Sequence, residues 1–206
     1  MISALILAAG MSSRYVGHNK LLLPFGDGPV IRRTVQTVLR TQIDRVVVVT
    51  GHDCAKIEAA LIDLPITFAH NRNYHHGEML SSIQTGLTHL NQLDIRPNDA
   101  AMIVLGDQPL LPAKLIQRLL HAYALGCGEI IAPRYQALRG HPVLIARQWW
   151  AEALTLTPGH NLRELLKAHP DAVSFIQVNS DAVLRDVDTP EAYAEACVMA
   201  GIRAIT

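Results

Sequence analysis

Apolar runs and helical patterns alternate along most of the chain. Residues 4–9 form an unbroken apolar run that stops at Gly10, the pattern of a strand buried on both faces. Val30, Ile31, Val35, Val38 and Leu39 then recur at helical spacing. Residues 45–51, Arg-Val-Val-Val-Val-Thr-Gly, are β-branched and end in glycine, which predicts a second buried strand. Residues 53–62 read as a short helix with Ile57 and Leu61 four apart, and 65–70 as a third strand. Met79, Ile83, Leu87 and Leu90 share one face of a helix. A fourth strand, 100–105, ends at Gly106-Asp107-Gln108-Pro109, and Leu115, Ile116, Leu119, Leu120 and Tyr123 mark the next helix. Such alternation predicts the α/β class, with a doubly wound, mostly parallel sheet and right-handed crossovers.

The rhythm changes after about residue 126. Residues 129–133 and 142–146 read as strands joined by a loop over 134–141, and 161–168 as a short helix. Residues 173–178 and 183–187 read as two more strands. Thr189-Pro190-Glu191 opens a final helix, with proline in its first turn. No linker, repeat or shift of composition divides the chain, so a single domain over 1–206 is expected.

Composition narrows the function classes. Half of the 206 residues are hydrophobic and 17% are charged, enough for a sizeable core. The formal net charge is zero, which argues against a general nucleic-acid binder. No apolar run approaches the roughly 18 to 20 residues of a membrane span. The first residues, Met-Ile-Ser-Ala, lack the basic region of a signal peptide. Cys54, Cys127 and Cys197 are far apart without metal spacing, as expected of reduced thiols in a cytoplasmic protein.

Candidate chemistry begins after the first strand. Residues 10–20 are mostly small and polar and carry Arg14, Gly17 and Lys20. Such a loop can wrap a polyphosphate with backbone N–H groups and two cations; it can equally be an ordinary strand-to-helix loop. Lys20 lies between Asn19 and Leu21, so this is no Walker A loop, and two glycines are too few for a dinucleotide fingerprint. In an open α/β sheet, ligands sit beyond the carboxyl ends of the strands. The 10–20 loop, the turn at Gly51, the 71–78 loop and the turn at Asp107 fall at such ends and are expected to share one crevice.

Asp107 follows a buried strand and could hold Mg²⁺, or cap the helix that starts near Pro112. Asp186 and Asp188 alternate onto one face of the 183–187 strand, although Asp188 could equally belong to the cap of the last helix, with Thr189. Ser81 and Ser82 lie in the first turns of the helix after the 71–78 loop, where hydroxyls can read a base or cap the helix. His75 and His76 have no regular third ligand, so no zinc site is expected. His141, in Arg-Gly-His-Pro, could be an acid or base, a substrate donor or a turn residue.

Four motifs in order carry a resemblance. Leu-Ala-Ala-Gly-Met-Ser-Ser-Arg with the following Lys20, then Gly-Asp-Gln-Pro, Gly-His-Pro and Asp-Val-Asp-Thr-Pro-Glu, resemble the MobA-like nucleotidyltransferases of the molybdenum cofactor cytidylyltransferase type. The resemblance implies a three-layer α/β/α fold of the glycosyltransferase-A-like class and Mg²⁺-dependent nucleotidyl transfer with loss of pyrophosphate. It implies that the backbone of Leu7, Ala8, Ala9 and Gly10 holds base and ribose, with Asn71, Gly77 and Ser82 lining the same pocket. Arg14 and Lys20 would hold the triphosphate, Asp107 and Asp188 the metal with Asp186 in support, and His141 and Arg163 the acceptor. Ala9 favours CTP over GTP, because guanylyl-transferring relatives tend to read Leu-Ala-Gly-Gly. The implied acceptor is a phosphorylated molybdopterin-type molecule, with a molybdoenzyme as delivery partner. Sugar- or alcohol-phosphate transfer is the alternative with the same machinery. A non-catalytic cofactor-binding protein and a glycosyltransferase rank lower, the latter because an Asp-x-Asp is missing after the central strand. Many relatives read Arg-Met-Gly directly, whereas Tyr15 and Val16 separate Arg14 from Gly17 here.

Overall fold

The computed structural model describes residues 1–203 apart from 16, 76–78, 94–95 and 97–98. Its elements follow the predicted alternation closely. Strand β1 (Ile2–Ala8) leads through the 9–20 loop into a tiny hairpin, β2 (Pro24–Phe25) and β3 (Gly28–Pro29), and helix α1 (Val30–Leu39). β4 (Arg45–Thr50), α2 (Cys54–Ala59), β5 (Thr67–His70) and α3 (Met79–Asn91) follow. β6 (Ala100–Leu105) and α4 (Ala113–Ala124) close the first half. The second half holds β7 (Ile130–Tyr135), β8 (Leu138–Arg139), β9 (Val143–Ala146), α5 (Trp150–Thr155), α6 (Leu162–Ala168), β10 (Val173–Val178) and α7 (Pro190–Met199).

The main sheet runs β10-β7-β9-β6-β1-β4-β5, with β8 paired to β7. β1 pairs in parallel with both β4 and β6, so successive crossovers diverge on either side of β1. That divergence opens a crevice beyond the carboxyl ends of β1 and β6. β9 breaks the parallel pattern by running antiparallel to both β6 and β7. Both sheet faces are covered. Ala4, Ile6 and Ala8 of β1 pack among residues of α1, α4 and α7, whereas Leu5 packs among those of α3, α5 and α6. The unbroken apolar runs of β1 and β4 follow from this burial on two sides. No helix among the described residues is long and apolar enough to cross a membrane.

Two predicted features are corrected. Residues 183–187 are not a strand: a 3-10 turn, Asp181–Val183, leads into irregular backbone. Val183 and Val187 are buried, and the Val187 N–H donates to the Asp107 carbonyl at 3.0 Å, but no ladder forms. The loop over 134–141 is instead a small hairpin, β8 returning against β7 around Gln136, whose φ is +52°.

Gly106 joins β6 to the Asp107 turn at a close approach. A Cβ there would lie 2.6 Å from the Leu7 carbonyl oxygen and 2.8 Å from Ile31 Cδ1. Backbone cannot yield as a flexible side chain can. Gly106→Ala is expected to cost about 1–3 kcal/mol of stability, read as a lowered urea midpoint with unchanged slope.

Candidate active site

The 9–20 loop is shaped by its own polar residues. Ser12 adopts φ +51°; its hydroxyl donates to Asn19 Oδ1 at 3.2 Å and accepts from the Lys20 N–H at 3.2 Å. Buried Asn19 accepts from the Leu21 N–H at 3.0 Å and so caps the 3-10 turn Lys20–Leu22. The turn points Lys20 across the crevice. Its ammonium donates to both Asp107 Oδ2 and Asp188 Oδ1. Exposed Arg14 donates to the other Asp188 oxygen, Oδ2, at 2.7 Å.

The turn after β6 fixes Asp107. Its carbonyl accepts from Val187, and buried Gln108 donates to the Val183 carbonyl at 3.4 Å. Asp107 does not cap α4, whose N-cap is Pro112 without a side-chain bond. Asp188 does not cap α7 either, since Thr189 accepts from the Ala192 N–H at 3.2 Å. Although 183–187 is no strand, Asp186 and Asp188 both reach the cavity while Val187 between them is buried.

Leu7, Ala9, Gly10, Met11, Lys20, Tyr74, Met79, Ser82, Asp107, Asp186 and Asp188 are among the residues lining a cavity of about 360 Å³. Ala8 is buried beneath it. Buried Asn71 uses its amide nitrogen to donate to Ser81 Oγ at 2.9 Å and Ser82 Oγ at 3.1 Å. Gly77 lies outside the described residues. His141 and Arg163 do not line this cavity. The His141 N–H donates at 3.0 Å to the Val183 carbonyl, which also accepts from Gln108 beside Asp107. Arg163 is exposed in the first turn of α6.

Electrostatics mark the carboxylate group. Burial, then the Asp107 and Asp188 charges, push the Asp186 carboxyl above its usual range. Burial works against the Asp188 carboxylate too, but Lys20 and Arg14 outweigh it and hold its pKa low. Burial likewise opposes the Lys20 ammonium, and the two aspartates outweigh it and raise its pKa. Asp107 Oδ1 is buried without a hydrogen-bond partner. Among the described residues no group of three or more His, Cys, Asp or Glu is placed to hold a metal ion. An orphaned carboxylate oxygen beside a second aspartate suits a hard cation that completes its shell with phosphate oxygens.

The sequence pattern missed Tyr15 and Tyr74. The Tyr15 hydroxyl donates to the Val187 carbonyl at 3.0 Å, tying the loop to the Asp188 segment. Burial, ahead of nearby charges, raises its pKa to about 12, so it remains a donor. Its position between Arg14 and Gly17, a stretch of two residues where the Arg-Met-Gly pattern has one, was the available signal.

Comparison with known proteins gives consistent relations. The family model for the MobA-like NTP transferase domain matches residues 4–173. Molybdenum cofactor cytidylyltransferase of Escherichia coli (strain K12) is 24% identical over 196 residues, covering 95% of each chain. Nicotine blue oxidoreductase of Paenarthrobacter nicotinovorans is 27% identical over 198 residues, covering 92% of this chain and 93% of that one. Among solved structures, the manganese complex of Rv0371c from Mycobacterium tuberculosis H37Rv matches with a TM-score of 0.76 at 22% identity. It covers 94% of this chain and 96% of that one, a likeness of fold.

Proposed function

The chain belongs to the MobA-like NTP transferase family, and from that premise we propose that it transfers CMP from CTP to the terminal phosphate of a molybdopterin-type acceptor, releasing pyrophosphate. One observation carries the reading: Lys20 bridges Asp107 and Asp188 at the floor of the cavity where the sheet's crossovers diverge. Two carboxylates bridged by a lysine, one of them with an unpartnered buried oxygen, are more than a binding protein needs.

Base and ribose lie along Leu7, Ala8, Ala9 and Gly10, flanked by Tyr74 and Ser82. Asn71 donates to Ser82 Oγ and accepts from the Asn73 N–H at 2.9 Å, so it is fixed in orientation. The Ser82 hydroxyl hydrogen is then free to donate. Cytosine presents acceptors at O2 and N3, whereas guanine presents donors at N1 and N2 beside a single acceptor, O6, which favours CTP. Asp107 and Asp188, with Asp186 in support, would hold Mg²⁺, which would supply charge neutralisation at the α-phosphate. Arg14 and Lys20 hold the triphosphate and stabilise the departing pyrophosphate.

An acceptor phosphate oxygen attacks the α-phosphorus in line with the leaving group. One phosphorus–oxygen bond forms, the bond to the bridging oxygen breaks, and its electron pair leaves with pyrophosphate. A phosphate monoester is already anionic at neutral pH, so no strong base is needed. Catalysis is then chiefly positioning and charge stabilisation. His141, near the acceptor side, suits a neutral role. Burial first, then Arg139 and Arg163, lower its pKa to about 4, so it stays uncharged at pH 7.

The test is pyrophosphate release from each ribonucleoside triphosphate with Mg²⁺ and molybdopterin or its molybdenum form. Release with CTP alone, dependent on the pterin, is expected. Release with GTP in preference would overturn the base assignment and keep the chemistry. Release that depends instead on a sugar or alcohol phosphate would replace the acceptor. No pyrophosphate release with any triphosphate and any of these acceptors would overturn transfer itself.

A further inference from the structure

Asp53 opens α2 without capping it. Its φ is +53°, and its carboxylate makes no bond to the N–H groups of its own helix. Aspartate adopts left-handed backbone more readily than most residues, and that tolerance suits it to this position. Its side chain has a second use. Oδ2 accepts from Asn19 Nδ2 at 3.4 Å, across 34 residues of chain, and lies 3.4 Å from His52 Nε2. Oδ1 pairs with Lys56 at 2.9 Å. Among the described residues, Asp53 Oδ2 is the one acceptor for the Asn19 amide nitrogen.

Asn19 is buried, and its amide has a donor end and an acceptor end. With Nδ2 drawn to Asp53, Oδ1 faces the loop. There it accepts from Ser12 Oγ at 3.2 Å and from the Leu21 N–H at 3.0 Å. Ser12 Oγ in turn accepts from the Lys20 N–H at 3.2 Å. Ser12 is itself left-handed, with φ +51°, a conformation that surroundings must impose on a serine. Reversal of the Asn19 amide would set its donors against the Leu21 N–H and its oxygen against a carboxylate. The orientation of one amide thus decides whether the 3-10 turn at Lys20 is capped.

The turn that supplies Asp53 also packs on the start of the same loop. β4 lies beside β1 with Thr50 opposite Ala8. The His52 N–H donates to the Ala9 carbonyl at 3.2 Å, and a Cβ on Gly51 would lie 2.8 Å from Ala9 Cβ. One turn therefore holds the loop near both ends, at Ala9 and at Asn19. Asp53 itself does not line the cavity.

We infer that Asp53 is a positioning residue: through Asn19 and Ser12 it orients the turn that carries Lys20. The inference rests on the proposed transfer reaction for its consequence in turnover, but the relay of hydrogen bonds is read in the free protein.

The experiment follows amide hydrogen exchange by NMR without nucleotide, beside pyrophosphate release with CTP, Mg²⁺ and the pterin acceptor. Asp53→Gly keeps the left-handed backbone without steric cost and removes the carboxylate. Exchange at the Lys20 and Leu21 amides is expected to quicken about tenfold, while the Lys56 and Ile57 amides, which donate to the Asp53 carbonyl, keep their protection. The value of kcat is expected to fall about tenfold with KM for CTP unchanged within about twofold, the pattern of an interaction made in the transition state. Asp53→Asn, which also tolerates left-handed backbone and still offers Asn19 an oxygen, is expected to restore most of both. Lys56→Ala, which removes the exposed partner of Asp53, should change neither. Unchanged exchange at Lys20 and Leu21 in Asp53→Gly, or unchanged kcat, would overturn the inference. Loss of protection throughout α2 as well would overturn it in favour of a purely structural role. If the wild type releases no pyrophosphate, the transfer reading fails, and exchange at Lys20 and Leu21 still decides whether Asp53 holds the turn.

Discussion

Lys20→Met is expected to lower turnover by about two to three powers of ten and, in the same protein, to tighten Mn²⁺ binding in the absence of nucleotide. Both effects follow from where the ammonium rests. It bridges Asp107 and Asp188, the two aspartates proposed as metal ligands. On the proposed mechanism a metal would have to displace the lysine from these carboxylates. The displaced ammonium would then turn toward the triphosphate, so metal and nucleotide would favour one another's binding. Methionine matches the unbranched stem of lysine as far as Cε and removes the charged terminal group. Among the described residues, Arg14 is then the cation left paired to the group of Asp107, Asp186 and Asp188, and a divalent cation would meet less competition. Paramagnetic resonance of free Mn²⁺ during titration reads the affinity, for which at least a fivefold gain is expected. Normal turnover would remove Lys20 from the mechanism. Unchanged Mn²⁺ affinity would show that the ammonium does not compete.

Asp107→Asn is expected to reduce turnover about a thousandfold, comparable with loss of a key group stabilising charge in a transition state. The amide is nearly the same shape, so the Gly106-Asp107-Gln108 turn, held by its backbone bond to Val187, should persist. What is lost is the buried, unpartnered oxygen that suits a cation, together with half of the seat of Lys20. Mn²⁺ affinity should fall even with the CTP analogue present. Asp63→Asn, which breaks the exposed pair with Arg32, is the matched control and should leave metal affinity unchanged. Tight Mn²⁺ binding by Asp107→Asn would move the metal to Asp186 and Asp188.

Opposite behaviour in these two variants separates the roles of the ion pair. Loss of either partner is expected to suppress turnover, but loss of the cation should free the proposed metal seat and loss of the anion should destroy it. Neither outcome could have been framed from the loop motif alone, which suited a phosphate loop or an ordinary connection equally well.

The helices and buried strands were legible because burial writes a period into the chain. β1, β4 and β6 sit where their apolar runs predicted, since central strands are covered on both faces. The same logic failed at 183–187. Alternating valines there report burial of Val183 and Val187, but strand formation also needs a neighbouring edge to pair with, and that is a property of the assembled sheet. The hairpin within 134–141 was missed for a related reason, because its return strand is only two residues long, too short to show a period.

By itself, then, the sequence determined the order of strands and helices, the loops that end the central strands and the residue types in those loops, because each depends on neighbours a few positions away. Only the tertiary structure decided which of those residues meet. Lys20 reaches Asp107 across 87 residues and Asp188 across 168, and Arg14 reaches Asp188 across 174. Partners so far apart leave no local period. They come together because parallel crossovers bring the carboxyl ends of β1 and β6 side by side, and because Val187 docks on the turn that β6 ends in.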